Sequence, residues 1–135
     1  MKTLYGIAAT LVALSLALPG VAVAGRKWGG EVNINNGAAF AQGTMGSARN
    51  SRDSTQQIGC FIQGNVRYTP YTLGSCSAYD ANGDAASCVF VDRPVLQQAV
   101  ASISDDSYLV FGWDNGGQCT FITVVNDSAY EPRGR

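Results

Sequence analysis

Asp80, Asn82 and Asp84 stand at alternate positions in the stretch YDANGDAASC. That spacing opens an EF-hand or dockerin-like calcium loop, because oxygens two residues apart wrap one side of the ion. The rest of the loop departs from the pattern. Ala85 occupies the place of the turn glycine, Val91 stands where a bidentate glutamate closes the site, and Asp92 comes one place too late. A β-hairpin turn closed by Asn82-Gly83, with solvated carboxylates beside it, accounts for every residue. Calcium at Asp80, Asn82 and Asp84 is therefore the weaker alternative, and no metal or cofactor is expected.

Other residue types bear on catalysis and binding. The chain has no histidine, which removes the commonest general base and the middle member of the usual Ser or Cys triads. An enzyme built on this chain would work with carboxylates alone, as many glycosidases do. Asp105, Asp106 and Asp114 are the available acids, and each has a turn or cap role to explain it. The expectation is no catalytic residue and no enzyme. The stretch SARNSRDSTQQ sets Arg49, Arg52 and Asp53 among serines and an asparagine, the composition of a loop tied down by its own side chains. Tyr68, Tyr71 and Trp113 fall at predicted hairpin ends with Asn115 at a turn. Aromatic rings beside amides suit a sugar or a protein partner, so these four are the candidate binding residues.

The amino terminus speaks to location. A lysine at position 2, the apolar run TLYGIAATLVALSLALPG and the small-residue end VAVA read as an export signal cleaved after Ala24. Pro19 and Gly20 interrupt the run, and it ends in Ala22-x-Ala24 rather than in a basic stop-transfer flank, so no membrane span is expected after cleavage. Without Lys2 the chain carries eight basic and ten acidic residues, a net charge near −2, and no long basic block. Nucleic acid is an unlikely class of partner on that charge, and an extracellular or envelope protein or a glycan is expected instead. Four cysteines in a small exported chain read as two disulfides in an oxidising compartment, secreted or periplasmic.

The elements that position these residues follow from pattern. Residues 25–55 are rich in Gly, Asn, Ser and Ala with one short alternation, EVNIN, and predict a flexible, turn-rich start. Residues 56–128 carry the core. QQIGCFIQG and YTLGSCSAY read as strands with Ile58, Cys60 and Ile62 on one face, and AASCVFVD as a third, buried strand. Asp92 precedes Pro94 as an N-cap for a helix over 93–103, with Val95, Leu96, Ala99, Val100 and Ile103 on its apolar side. SYLVFGW and QCTFITVV flank Asn115-Gly116, a strong hairpin signal. Leu109, Phe111, Trp113 and Ile122 lie on one face of that hairpin and Tyr108, Val110 and Phe121 on the other, which predicts a central position covered by the helix. Residues 129–135 form a polar tail. The fold class is mainly β (α+β): a small antiparallel sheet domain braced by two disulfides, with one helix packed on it.

Two-residue turns at Asn115-Gly116 and Asn82-Gly83 set a register. Gly112 then faces Cys119, and Cys76 faces Val89, which puts Cys88 on the opposite side of the sheet and disfavours a Cys76–Cys88 bond. The expected pairing is Cys60 with Cys76 and Cys88 with Cys119.

The run GSARNSRDSTQQIGC, with SYLVFGW and the ending VVNDSAYEPR, resembles a family of small exported bacterial proteins of unassigned activity, over about Met45 to Arg133. That resemblance implies no site residues. Two disulfides in a chain of this size and CVFVDRP from Cys88 resemble the subtilisin-inhibitor family, in which a cysteine-tethered loop presents the scissile bond. The resemblance implies that Val89, Phe90 and Val91 form that loop. The reading of the chain is thus a secreted, non-enzymatic binding or interaction module, with an extracellular protease inhibitor presenting Val89–Val91 as the alternative. Exposure of that segment discriminates between them.

Overall fold

The computed structural model describes residues 29–65 and 70–130. The segment expected to be an export signal and the end of the tail lie outside them, as does Tyr68. The mainly antiparallel β fold expected from the sequence is observed, divided into two sheets. The strands β1 (Asn33–Asn35), β2 (Phe40–Thr44), β6 (Tyr108–Trp113) and β7 (Cys119–Val125) form one sheet in the order β1-β2-β6-β7. The second contains β3 (Gln57–Asn65), β4 (Tyr71–Tyr79) and β5 (Ala85–Val91) in sequence order. Helix α1 (Met45–Arg49) follows β2 directly, and α2 (Pro94–Ala101) joins the second sheet back to the first.

Residues 25–55, expected to be a turn-rich start, contribute β1, β2 and α1. Strand β2 lies inside the four-stranded sheet, between β1 and β6. Its sequence, FAQGT, lacks the β-branched and aromatic run that marks a strand. Smallness is what its position requires: Ala41 lies opposite Phe111 and Gly43 opposite Leu109. A Cβ on Gly43 would meet the Val32 Cα at 3.0 Å, so glycine there lets the incoming chain close over the sheet. The next turn is fastened by backbone, with the Thr44 amide donating to the Gly30 carbonyl and the Met45 amide to the Ser107 carbonyl, each at 3.0 Å.

One continuous core includes Ile58, Cys76, Ala78, Cys88 and Phe90 from the three-stranded sheet and Ala41, Leu109 and Phe111 from the other, with Ala48 of α1 and Val100 of α2. Phe90 sits directly over Gly74, its partner on β4. Leu96 and Ile103 pack against this core, whereas Val95, placed on the apolar side by helical spacing, is 80 % exposed.

The helix start also differs from expectation. Its N-cap is Arg93. Asp92 has φ 49°, and its carboxylate accepts the Thr72 amide at 2.8 Å while its own amide donates to the Thr72 carbonyl at 2.9 Å. Asp92 therefore ends the β4–β5 ladder instead of starting the helix. The far end of α2 is tied to the end of β7, where Asn126 donates to the Ser102 carbonyl at 2.8 Å and accepts from Ser107. The β6–β7 hairpin is not central as a whole, since β6 is interior and β7 is an edge strand. In the tail, Tyr130 stacks on Tyr108 with ring centroids 5.1 Å apart.

Both disulfides, Cys60–Cys76 and Cys88–Cys119, are formed, and no described cysteine is free. The register that led to them is different. Cys76 faces Cys88 across β4 and β5, and Cys60 across β3 and β4. Cys60, Cys76 and Cys88 thus form one row on adjacent strands. The sulfurs of Cys76, Cys88 and Cys119 all lie within 4.8 Å of one another. Strand register alone permits a Cys76–Cys88 bond; the approach of Cys119 from the other sheet takes Cys88.

Candidate functional site

The shift of register comes from the turns. Both hairpins use three-residue loops in place of the expected two. The Asp80 amide donates to Asp84, and the Asp114 amide to Gln118. In each loop the glycine in third place is left-handed, Gly83 at φ 86° and Gly117 at φ 74°. A two-residue type I′ turn needs positive φ at both central residues, and neither Asn82 nor Asn115 has it. The preceding aspartate selects the longer loop. Asp80 Oδ1 accepts the amides of Asn82 and Asp84 at 2.9 and 3.0 Å, and Asp114 Oδ1 those of Gly116 and Gln118 at 2.8 and 2.9 Å. The oxygen that would head a calcium loop is engaged by backbone, as in any Asx turn. One further consequence is that Gly112 faces Phe121, whose ring covers it, while Cys119 faces Trp113 across a bulge.

The three described candidate binding residues stand on different elements, β4, β6 and the β6–β7 turn. Tyr71 opens β4 and is 38 % exposed. Asn115 is exposed in the β6–β7 turn. Trp113 is half-buried and packs against the core, its ring centroid 6.0 Å from that of Phe111. It belongs to the packing rather than to a loop tip.

What the structure does assemble is an apolar surface on the outer face of the three-stranded sheet. Alternation turns Cys76, Cys88 and Phe90 inward, so Phe61, Leu73, Val89 and Val91 point out. Register lines them up: Phe61 is followed by Ser75 and Val89 in one row across the sheet, and Gln63 by Leu73 and Val91 in the next. Phe61 is 53 %, Val91 47 % and Val89 39 % exposed. Ser75 does not offer its hydroxyl outward, since it donates to the Cys88 carbonyl at 2.8 Å. Tyr71 borders the patch beside Leu73. The segment Val89–Val91, read from sequence as a buried strand, is one-third buried in residue terms: Phe90 is inside, and both valines are outside. The missed signal was the alternation in CVFV itself, in which two apolar sets face opposite ways.

A groove of about 650 Å³ lies around the end of β5 and the start of α2, lined by Asp92, Arg93, Val95, Asp114 and Gln118 among others. A polar hollow of about 470 Å³ lies beside Arg52, Asp53 and Gln56. Its carboxylate is already saturated. Asp53 accepts the Gln56 side-chain amide, the backbone amides of Gln56 and Thr55, and the Thr55 hydroxyl at 2.7–3.0 Å. These bonds, the Gln56 side chain first, hold its pKa far below the ordinary aspartate range. Gln56 in turn accepts the Val32 amide at 2.8 Å, so the loop fastens the start of the first sheet. Tyr108 titrates above the usual phenol range because it is partly buried, with Tyr130 adding to the effect; its hydroxyl donates to Gln42 at 2.9 Å.

Comparison with protein-family models, curated proteins and solved structures returned no match. Among the described residues, no helix is long and apolar enough to cross a membrane. The two formed disulfides fit a non-reducing location.

Proposed function

We propose that this chain is a secreted or periplasmic, non-enzymatic binding module. Its partner is an extracellular or envelope protein or glycan, engaged through the outer face of the three-stranded sheet and the turns beside it. The observation that carries this reading is the contiguous exposed set of Phe61, Tyr71, Val89 and Val91 on a disulfide-braced sheet. Large apolar side chains clustered on a rigid face are costly to leave in water and mark interaction surfaces. The aromatic and aliphatic centre with Gln63 and Asn115 nearby matches the anatomy of recognition surfaces. Of the three acids available for carboxylate chemistry, Asp114 is committed to backbone amides, as are Asp53, Asp80 and Asp92 elsewhere, which favours a non-enzymatic role.

The inhibitor alternative has less support. A scissile-bond segment must lie free in a protease cleft, whereas Val89, Phe90 and Val91 pair with Ser75, Gly74 and Leu73. On its other side Val89 donates to the Gly117 carbonyl at 3.0 Å. The test is capture of envelope glycans and secreted proteins on the immobilised, oxidised protein, with Val91→Asp and Tyr71→Ala as variants. The expected result is loss of capture by at least about tenfold for Val91→Asp, a change of about 1.4 kcal/mol in affinity. Undiminished capture by both folded variants, or turnover of glycan or peptide substrates by the purified protein, sinks the reading.

A further inference from the structure

A strand at the edge of a sheet leaves a row of amides and carbonyls unpaired, and proteins normally blunt such edges by shortness, bulges, charge or proline. Three of the four edges here are blunted. Strand β1 has three residues. Strand β7 carries the bulge opposite Gly112 and Trp113. Strand β5 is bridged to Gln118 at Val89 and ends at Asp92, Arg93 and Pro94.

Strand β3 has none of these devices. It runs nine residues, QIGCFIQGN, with no charge and no proline, and its register with β4 is unbroken from Gln57 to Asn65. Helices α1 and α2 both contact β3; along the strand Ile58 is buried and Cys60 half-buried, but Phe61, Ile62, Gln63 and Gly64 are all exposed. Among the described residues, no backbone hydrogen bond outside the β3–β4 ladder reaches this run.

We infer that the exposed half of β3 is a self-association edge, and that its occupant is the β3 strand of a second copy, paired antiparallel about a two-fold axis. Self-pairing is what the composition favours. In an isologous contact each residue meets its own kind or a near neighbour, so a strand bearing any charge risks setting like charges against each other. Residues 61–64 carry none. Pairing outward-facing residues with outward-facing residues brings the two Phe61 rings and the two Gln63 amides to one side of a continuous six-stranded sheet. This extends the same apolar face on which the proposed partner binding rests, so the inference deepens that reading by making the face double. Gly64 has open space around its Cβ position, so a second backbone can approach closely there.

The test is sedimentation velocity on the oxidised, exported protein over a wide concentration range, without any partner. The weight-average mass is expected to rise toward twice the monomer value. Gln63→Lys, which adds the charge that edges normally carry, is expected to weaken association by about tenfold, and Gly64→Lys serves if the first variant folds poorly. Val91→Asp, away from this edge, is expected to dimerise normally, which separates this contact from the partner-binding face. A protein that stays monomeric at its highest soluble concentration overturns the inference. So does a lysine variant that dimerises unchanged. Slow amide exchange over residues 61–64 that is independent of concentration, in a monomer, also overturns it, since another part of the same chain then covers the edge.

Discussion

Single residues in this protein are constrained by what their neighbours need. Gly74 and Gly59 lie on the adjacent strands β4 and β3, yet their tolerances should be opposite. A Cβ on Gly74 would lie 2.0 Å from Phe90 Cζ, a core ring with 1 % exposure, while one on Gly59 would meet nothing within 4 Å. Gly74→Ala forces Phe90 out of its seat and is expected to destabilise by about 1–3 kcal/mol, the range for overpacking a filled core. Gly59→Ala is expected to be neutral or slightly stabilising, because alanine restricts the unfolded chain more than glycine does. Equal chemical-denaturation midpoints for the two variants would contradict this account. Asp53 supplies a matching statement about pH. Its folded pKa is depressed by Gln56 and Thr55, so the stability it contributes is present above the unfolded aspartate pKa, about 3.9, and is lost as pH falls below it. In an NMR titration the Asp53 carboxyl should remain ionised where ordinary aspartates are half-protonated. A midpoint in the ordinary range would show that the Gln56 bonds are not kept in solution.

Among the elements, the two Asp-headed turns decide most. Each puts a glycine in the left-handed region, where an L side chain costs about 1–2 kcal/mol. Gly83→Ala and Gly117→Ala are therefore expected to lower stability by about that amount each. Gly116→Ala should have a smaller effect, since Gly116 has no positive φ. The same geometry predicts the response to calcium. With Asp80 Oδ1 bonded to two backbone amides, millimolar calcium is expected to leave the melting temperature unchanged. A bound ion at 100 times its dissociation constant would add about 2.7 kcal/mol. A calcium-dependent rise abolished by Asp80→Ala would mean that the loop rearranges into an ion site.

For the molecule as a whole, the two disulfides do different work. Cys60–Cys76 joins neighbours in one sheet across a separation of 16 residues, and Cys88–Cys119 joins the two sheets across 31. Loop-closure entropy assigns them about 3 and about 4 kcal/mol respectively. Removing Cys88–Cys119 by paired serine substitution should cost more, whereas replacing Cys119 alone should leave Cys88 opposite Cys76 with no competing partner. Non-reducing peptide mapping of the single variant Cys119→Ser is expected to show some Cys76–Cys88 linkage beside Cys60–Cys76. Cys60–Cys76 alone, with Cys88 entirely free, would show that the row of three cysteines does not exchange.

Much of this architecture is legible from local pattern. Period-two runs of β-formers mark β3 to β7, helical spacing marks α2, and the even cysteine count in a chain with an export-like start marks a two-disulfide domain. These signals are local because they arise from side-chain direction and backbone propensity within a few residues. The cysteine pairing expected from two-residue turns is formed in a different register, since the amides held by Asp80 and Asp114 lengthen each turn by a residue and change which side chains face each other. Strand β2 was invisible for a related reason: its alanine and glycine are chosen by Phe111, Leu109 and Val32, residues far off in the chain or across a turn, and small residues carry no strand signal of their own. The outer apolar face was equally hidden. Sequence identifies Phe61, Leu73, Val89 and Val91 as hydrophobic, but only the packing of Phe90, Cys76 and Cys88 against the second sheet decides which set of an alternating strand is buried and which is left facing water.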